Sequence, residues 1–232
     1  MILFFCNNPP SKGGETPIAD MRAVYHDLDL GVRERLQTKG LRLIQNVPGK
    51  KGFGLAKTWQ EMFGTDDRVE VEKACARLEI ECTWKSNGNL RLINFRPAFL
   101  THPTTGDQAL FTSFYNFHDS WSSEFEMHNL YWLAKMSGLS ERYRRLTRTD
   151  ELDYPHHCTY ADGSPIPKED ILHVRNVLWR RAVVFPWQQG DLLIIDNYRV
   201  SHGRMPYNGR RSILVSMGSS AVSCMNELSA EC

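Results

Sequence analysis

His202 and the adjacent pair Arg210-Arg211 are the side chains of this sequence best suited to chemistry. A neutral imidazole suits a divalent metal, and a guanidinium can hold a carboxylate through two parallel hydrogen bonds. His202 lies between Ser201 and Gly203, and the glycine leaves open space beside the ring. The elements that must position these groups flank them on both sides. A polar turn at Gln188-Gln189-Gly190 launches the apolar run Leu192-Leu193-Ile194-Ile195, which has the length and β-branched content of a buried strand. Asp196 and Asn197, both turn formers, end it. A second turn at Tyr207-Asn208-Gly209 returns the chain through the two arginines into Ser212-Ile213-Leu214-Val215-Ser216-Met217, read as a second buried strand. A hairpin of these strands would bring one His and one Arg to neighbouring points of one sheet. Taken alone, such a pair is more often a structural hydrogen bond than a site.

A second motif stands near the other end of the chain. Met1-Ile2-Leu3-Phe4-Phe5-Cys6 reads as an internal strand, because an apolar strand of this kind needs partners on both sides. Asn7-Asn8-Pro9-Pro10 stops it, and Ser11-Lys12-Gly13-Gly14-Glu15-Thr16-Pro17-Ile18-Ala19-Asp20 comes next as a Gly-Gly turn and a short extended run. The simplest role for Thr16 is a hydroxyl tied to nearby backbone.

Both motifs resemble the TauD/TfdA-type iron(II)- and 2-oxoglutarate-dependent oxygenases, and within them the branch of syringomycin- and clavaminate-type biosynthesis. The resemblance is carried by Phe185 to Met217, by PPSKGGETPIAD, and by the RPA…HPTTGD stretch from Arg96 to Asp107. It implies a double-stranded β-helix, or jelly roll, with flanking helices. It implies Fe(II) as the metal and 2-oxoglutarate as co-substrate, with a small amino-acid-like or related polar metabolite hydroxylated. By the same resemblance His202 is the distal iron ligand. Arg211 clamps the distal carboxylate of 2-oxoglutarate, with Arg210 as a one-residue alternative, and Thr16 also contacts that co-substrate. His102 is given no metal role, and His118 is a weaker candidate for the substrate side.

The family's first His and its carboxylate come as His-x-Asp or His-x-Glu. None of the eight histidines here, at 26, 102, 118, 128, 156, 157, 173 and 202, is followed at that spacing by an acid. In relatives that motif precedes the apolar strand and the GGET turn, a place that falls before Met1. Two explanations stay open: the chain is the C-terminal portion of a longer oxygenase, which the opening inside a hydrophobic strand favours, or it is a natural short relative without the iron site. In either case this chain by itself is expected not to turn over substrate. The rival reading is a non-catalytic carboxylate-binding or interaction module, in which Thr16 and Arg211 grip a dicarboxylate without iron.

Composition fits this outline. The length of 232 residues suits one large domain, assigned to 1–218, with 219–232 as a frayed tail. Hydrophobic residues make up 41% and the formal net charge is +1, so nothing electrostatic points to nucleic acid or an anionic membrane. The expected partner is a small-molecule substrate, and the oligomeric state is left open. The six cysteines show no CxxC pair and read as reduced thiols. With no signal peptide or spanning segment recognised, a cytoplasmic protein is expected. Along the chain, Ala19 to Leu36 reads as one helix and Leu41 to Val47 as a strand. Lys57 to Phe63 and Asp66 to Leu78 read as further helices, and Ile80 to Phe95 as a hairpin about Ser86-Asn87-Gly88-Asn89. Glu124 to Arg148 reads as helical pieces, and Pro167 to Trp179 as a helix with acids in its first turn. Short strands between turns, without a βαβ rhythm, give a mainly β fold class.

Overall fold

The computed structural model describes residues 1–50, 57–116 and 151–218. The helical reading of 124–148, His118, and the tail at 219–232 lie outside them. The described residues hold fourteen strands and five α-helices and form two compact units. The first comprises Met1–Leu28, Phe99–Phe111 and the described part of Arg175–Cys232; the second comprises Asp29–Ala98 and the described part of Thr112–Val174. No described helix is long and apolar enough to cross a membrane.

In the first unit, β1 (Ile2–Asn8) is the middle strand of a three-stranded antiparallel sheet, between β11 (Leu192–Ile195) and β14 (Ser212–Met217). The expectation of an internal strand is met on both edges. Ile2 pairs with Ile195 and Met217, Phe4 with Leu193 and Val215, and Cys6 with Ile213. Alternate residues of a strand face opposite sides. Ile2, Phe4, Cys6, Ile195 and Trp187 therefore form a core, with Leu193, Phe185, Val200 and Ile213 packed against it. A second sheet orders β10 (Ala182–Val183), β3 (Ile18–Asp20) and β12 (Val200–His202). Short ladders join β2 (Lys12–Gly13) to β13 (Tyr207–Asn208), and β7 (Phe99–Thr101) to β8 (Gln108–Leu110).

In the second unit, β5 (Glu81–Trp84), β6 (Leu90–Arg96), β4 (Leu41–Val47) and β9 (His156–Tyr160) form a four-stranded antiparallel sheet in that order. Val47, Leu90 and Leu92 pack with Trp59, Val71 and Cys75 from α3 (Trp59–Phe63) and α4 (Arg68–Arg77). Thr58 and Glu61 close a capping box on α3, which is why the helix starts where it does. Asp170 of α5 (Lys168–Arg181), itself buried, takes both hydrogen bonds of a two-point pair from Arg35 at 2.7 and 2.9 Å.

Two expectations are corrected. The span Ala19 to Leu36 is two helices, α1 (Met21–Asp27) and α2 (Leu30–Lys39). Asp20 accepts from Arg22 N–H and Asp29 from the Gly31 and Val32 N–H groups, so each helix has its own cap, and Leu28 between them is extended. Nor are the two C-terminal strands buried on both faces. Leu192 and Ile194 are 59% and 53% exposed, and Leu214 is 57% exposed. Together with Phe5 they form an apolar face of the β1 sheet turned away from Phe4, and on the Phe4 side Val215 and Met217 are exposed as well. A continuous apolar run carries no period, so it cannot show which face a neighbour covers.

This asymmetry is measurable. Leu192→Thr and Ile194→Thr should each change stability by no more than about 0.5 kcal/mol. Ile195→Ala, on the opposite face, should cost roughly 2–5 kcal/mol. Urea midpoints decide, and a similar loss for Leu192→Thr and Ile195→Ala would overturn the face assignment.

Candidate carboxylate-binding site

The predicted metal- and co-substrate-binding residues Thr16, His202, Arg210 and Arg211 lie in the first unit, where an antiparallel ribbon positions them. Residues 12–20 run beside 200–208 in one constant register. Asp20 pairs with Val200 and Ile18 with His202, Gly203 N–H donates to Pro17 O at 2.9 Å, and Met205 N–H donates to Glu15 O at 3.0 Å. Gly14 N–H donates to Pro206 O at 3.0 Å, and Gly13 pairs with Tyr207. In this register Thr16 falls opposite Arg204, two rungs from the Ile18–His202 pair.

The predicted hairpin does not form. The N-terminal motif intervenes: β12, with His202, pairs to β3, whereas the strand after Arg211 pairs to β1. The segment Tyr207-Asn208, expected to be a turn, is the strand that zips onto β2. His202 and Arg211 are thus organised by a shared neighbour, the GGET segment, rather than by each other. The glycines there are obligatory. Gly14 has φ +75°, and a Cβ on it would lie 2.6 Å from Pro10 Cγ, 2.9 Å from Tyr207 Cβ and 3.2 Å from Arg211 Cδ.

Thr16 is 1% exposed, and its hydroxyl is more than a backbone tie. Trp187 Nε1–H donates to Thr16 Oγ1 at 3.0 Å, and Arg211 Nη2 donates to the same oxygen at 3.5 Å. A hydroxyl has two acceptor lone pairs and one proton. Both lone pairs are engaged, which leaves the proton for an acceptor. Arg211 Nε–H donates to Gly14 O at 3.0 Å. Of its five N–H donors, three remain uncommitted to described residues, and it has no carboxylate partner among them. Burial first, and then the charge of Arg204, lower its pKa from the usual guanidinium value, so an anion is the favourable neighbour. Arg210 is exposed, and its carbonyl accepts from Asn8 Nδ2 at 2.8 Å; it shares no contact with Thr16.

The His202 ring meets the Phe4 ring edge-on, with centroids 5.0 Å apart. Loss of surrounding water holds its pKa below the ordinary imidazole value, which favours the neutral, metal-ligating form. One imidazole is not an iron site. Among the described residues no three His, Cys, Asp or Glu side chains converge, so the residues present do not complete the facial triad.

Sequence reasoning passed over His102, which holds the turn ahead of His202. Its Nδ1 accepts from Thr104 and Thr105 N–H at 3.2 and 3.1 Å, which fixes the proton on Nε2, 2.8 Å from Asp196 Oδ2. Asp196 Oδ1 accepts from Tyr198 N–H at 3.0 Å, and Asp196 O accepts from Arg199 and Val200 N–H. A His-Pro turn far away in sequence gave no signal of that partnership. Burial alone would raise the Asp196 carboxyl; the bonds from His102 and Tyr198 outweigh it and leave the pKa below the ordinary value. A depressed carboxyl stabilises the fold fully above its unfolded value, about pH 4, and loses that contribution as pH falls through the lower native value. Asp196→Asn should therefore be less stable than the wild type at pH 7, with the gap closing below about pH 4. Urea midpoints from pH 7 to pH 3 that stay parallel would overturn this.

A family model described as taurine catabolism dioxygenase TauD, TfdA family, matches residues 1–217, which include both units. The dapdiamide synthesis protein DdaC of Enterobacter agglomerans is 36% identical over 93% of this chain and 60% of its own length. A clavaminate synthase-like protein of Arabidopsis thaliana is 25% identical over 93% of this chain and 59% of its own. The chain thus spans about 60% of the length of these curated relatives. Among solved structures, AAD-2 in complex with Mn(II) and N-oxalylglycine aligns with a TM-score of 0.45 and 16% identity, over 92% of this chain and 60% of that one. PvcB, an Fe, alpha-ketoglutarate dependent oxygenase from an isonitrile synthetic pathway, aligns with a TM-score of 0.42 and 14% identity, over 91% and 48%. With a family model matched over nearly its whole length, the chain belongs to the TauD/TfdA family of iron- and 2-oxoglutarate-dependent dioxygenases, and its mainly β architecture accords with the family's jelly roll.

Proposed function

We propose that this chain is the 2-oxoglutarate-binding part of an iron(II)- and 2-oxoglutarate-dependent oxygenase that hydroxylates a small amino-acid-like or polar metabolite. Residues 1–218 act in it as one domain that lacks the His-x-Asp or His-x-Glu metal motif. One observation carries the reading. Thr16 has both lone pairs engaged and a proton to give, and it sits against an arginine with no carboxylate partner among the described residues. Together they make a donor set for one carboxylate of a dicarboxylate, Arg211 supplying charge and Thr16 a directed hydroxyl. His202 is the iron ligand this chain contributes. The iron supplies oxygen activation when bound, but with one ligand of three at hand no step is assigned to this chain through it.

The uncovered apolar faces of the β1 sheet support incompleteness, as does the span of about 60% of the curated relatives. Further polypeptide covering Leu192, Ile194 and Leu214 would remove exposed apolar area from water, at roughly 25 cal/mol per Å². The rival, a carboxylate-binding module without catalysis, rests on the same Thr16–Arg211 pair, which could grip a dicarboxylate without iron.

One assay separates them. The purified chain is given Fe(II), ascorbate and millimolar 2-oxoglutarate, and succinate release is followed alone and with a co-expressed relative-derived segment that carries His-x-Glu. No succinate from the chain alone and 2-oxoglutarate-dependent succinate from the combination are expected. Arg211→Gln should lower that turnover by about 100-fold, as loss of a charged hydrogen-bonding partner does. Binding of 2-oxoglutarate without turnover in any combination would favour the module, and no binding at all would overturn both.

A further inference from the structure

Two guanidiniums rest against one tyrosine beside Thr16. The Arg211 Cζ lies 5.7 Å from the Tyr207 ring centroid and the Arg204 Cζ 5.8 Å from it. Neither arginine forms an ion pair among the described residues, and after burial the charge of Arg204 is the next cause that lowers the pKa of Arg211. Two like charges flanking one ring repel. The negative π-face of an aromatic ring attracts a cation and offsets part of that repulsion. Tyr207 can serve as a fixed post because its backbone is pinned. It pairs with Gly13, its neighbour Pro206 accepts from Gly14 N–H, and Asn208 O accepts from the Ser11 hydroxyl at 3.0 Å. Gly14 lets the Tyr207 Cβ and the Arg211 Cδ approach the same point of backbone.

We propose that Tyr207 is the positioning residue of the carboxylate clamp, its ring holding Arg211 toward Thr16 against the repulsion of Arg204. This deepens the reading given under Proposed function and rests on Arg211 as the clamp. The bland alternative is that Tyr207 only contributes a backbone rung to the β2–β13 ladder. The two differ in what the ring does. Tyr207→Phe keeps ring and rung, whereas Tyr207→Leu keeps rung and bulk but has no π-face.

The direct readout is the Arg211 Nε–H signal in a ¹⁵N NMR spectrum of the full chain, identified by its absence in Arg211→Lys. In the wild type and Tyr207→Phe it should be dispersed and slow to exchange, since it is bonded to Gly14 O. In Tyr207→Leu its exchange should speed by about threefold, the size of a solvent-exposed cation–π contact. Tyr207→Thr, a good strand former, serves as a second ring-less variant, and circular dichroism establishes that each variant is folded. An unchanged Arg211 signal in a folded ring-less variant would overturn the proposal. Titration with millimolar 2-oxoglutarate is the second arm. Binding should weaken about threefold in Tyr207→Leu and be retained in Tyr207→Phe. Loss of binding in Arg211→Lys with Tyr207→Leu unaffected would also overturn the role of Tyr207. No binding to the wild type would overturn the clamp reading instead, and the Nε–H comparison would still decide on the tyrosine.

Discussion

The double pairing of β1 is the constraint on which the first unit depends. One strand of seven residues supplies hydrogen-bond partners to β11 on one edge and to β14 on the other, across nearly the whole length of the chain. Its inward residues Ile2, Phe4 and Cys6 are the centre of the core that Trp187 and Ile195 complete. The segment after β1 inherits its placement: the Gly-Gly turn, Thr16 and β3 are delivered to the one position where residues 200–208 can zip onto them. Closing so long a loop is entropically unfavourable before any contact rewards it. The site can therefore form only after the two ends of the sequence have met, and folding of this unit should be slow relative to the local hairpin β5–β6.

The features legible in the sequence were those that only certain residues can produce. Gly13 and Gly14 adopt positive φ with neighbours at distances no side chain tolerates, so a Gly-Gly there announces its own geometry. The hairpin around Asn87-Gly88 was legible for the same reason, and the internal character of β1 came from an apolar strand's need for two edges. Features that depend on a distant partner could not be read. Leu192 and Leu193 look alike in sequence, yet one is exposed and the other packs on the core, since only the tertiary neighbour distinguishes them. The helix break at Leu28 was hidden because its apolar stripe runs on at helical spacing while Asp29 caps a new helix. His202 and Arg211 were read as partners because they are close in sequence; that β12 would pair with β3 and the strand after Arg211 with β1 had no local trace.

Magnitudes explain why a clamp of this kind implies a second point of attachment for its ligand. A hydrogen bond to a charged group contributes roughly 1.5–3 kcal/mol. Two from Arg211 and a third from Thr16 sum to about 4–9 kcal/mol on that scale. Association of a small ligand costs roughly 4 kcal/mol or more in lost freedom. The surplus is at most about 5 kcal/mol, which is a few tenths of a millimolar at best and weaker over most of the range, too weak to select one metabolite from many. On the proposed reading, the hydroxyl proton of Thr16 and the guanidinium of Arg211, which has no carboxylate partner among the described residues, make one half of a two-point grip. The same proposal puts the other half where His202 lies, two rungs along the same ribbon from Thr16. Separation of the halves on one rigid ladder matters more than the strength of either, because a ligand that spans both has its second contact made at high effective concentration. In a site built this way, the backbone register between residues 12–20 and 200–208 measures the ligand's length, and the side chains at either end read its charge.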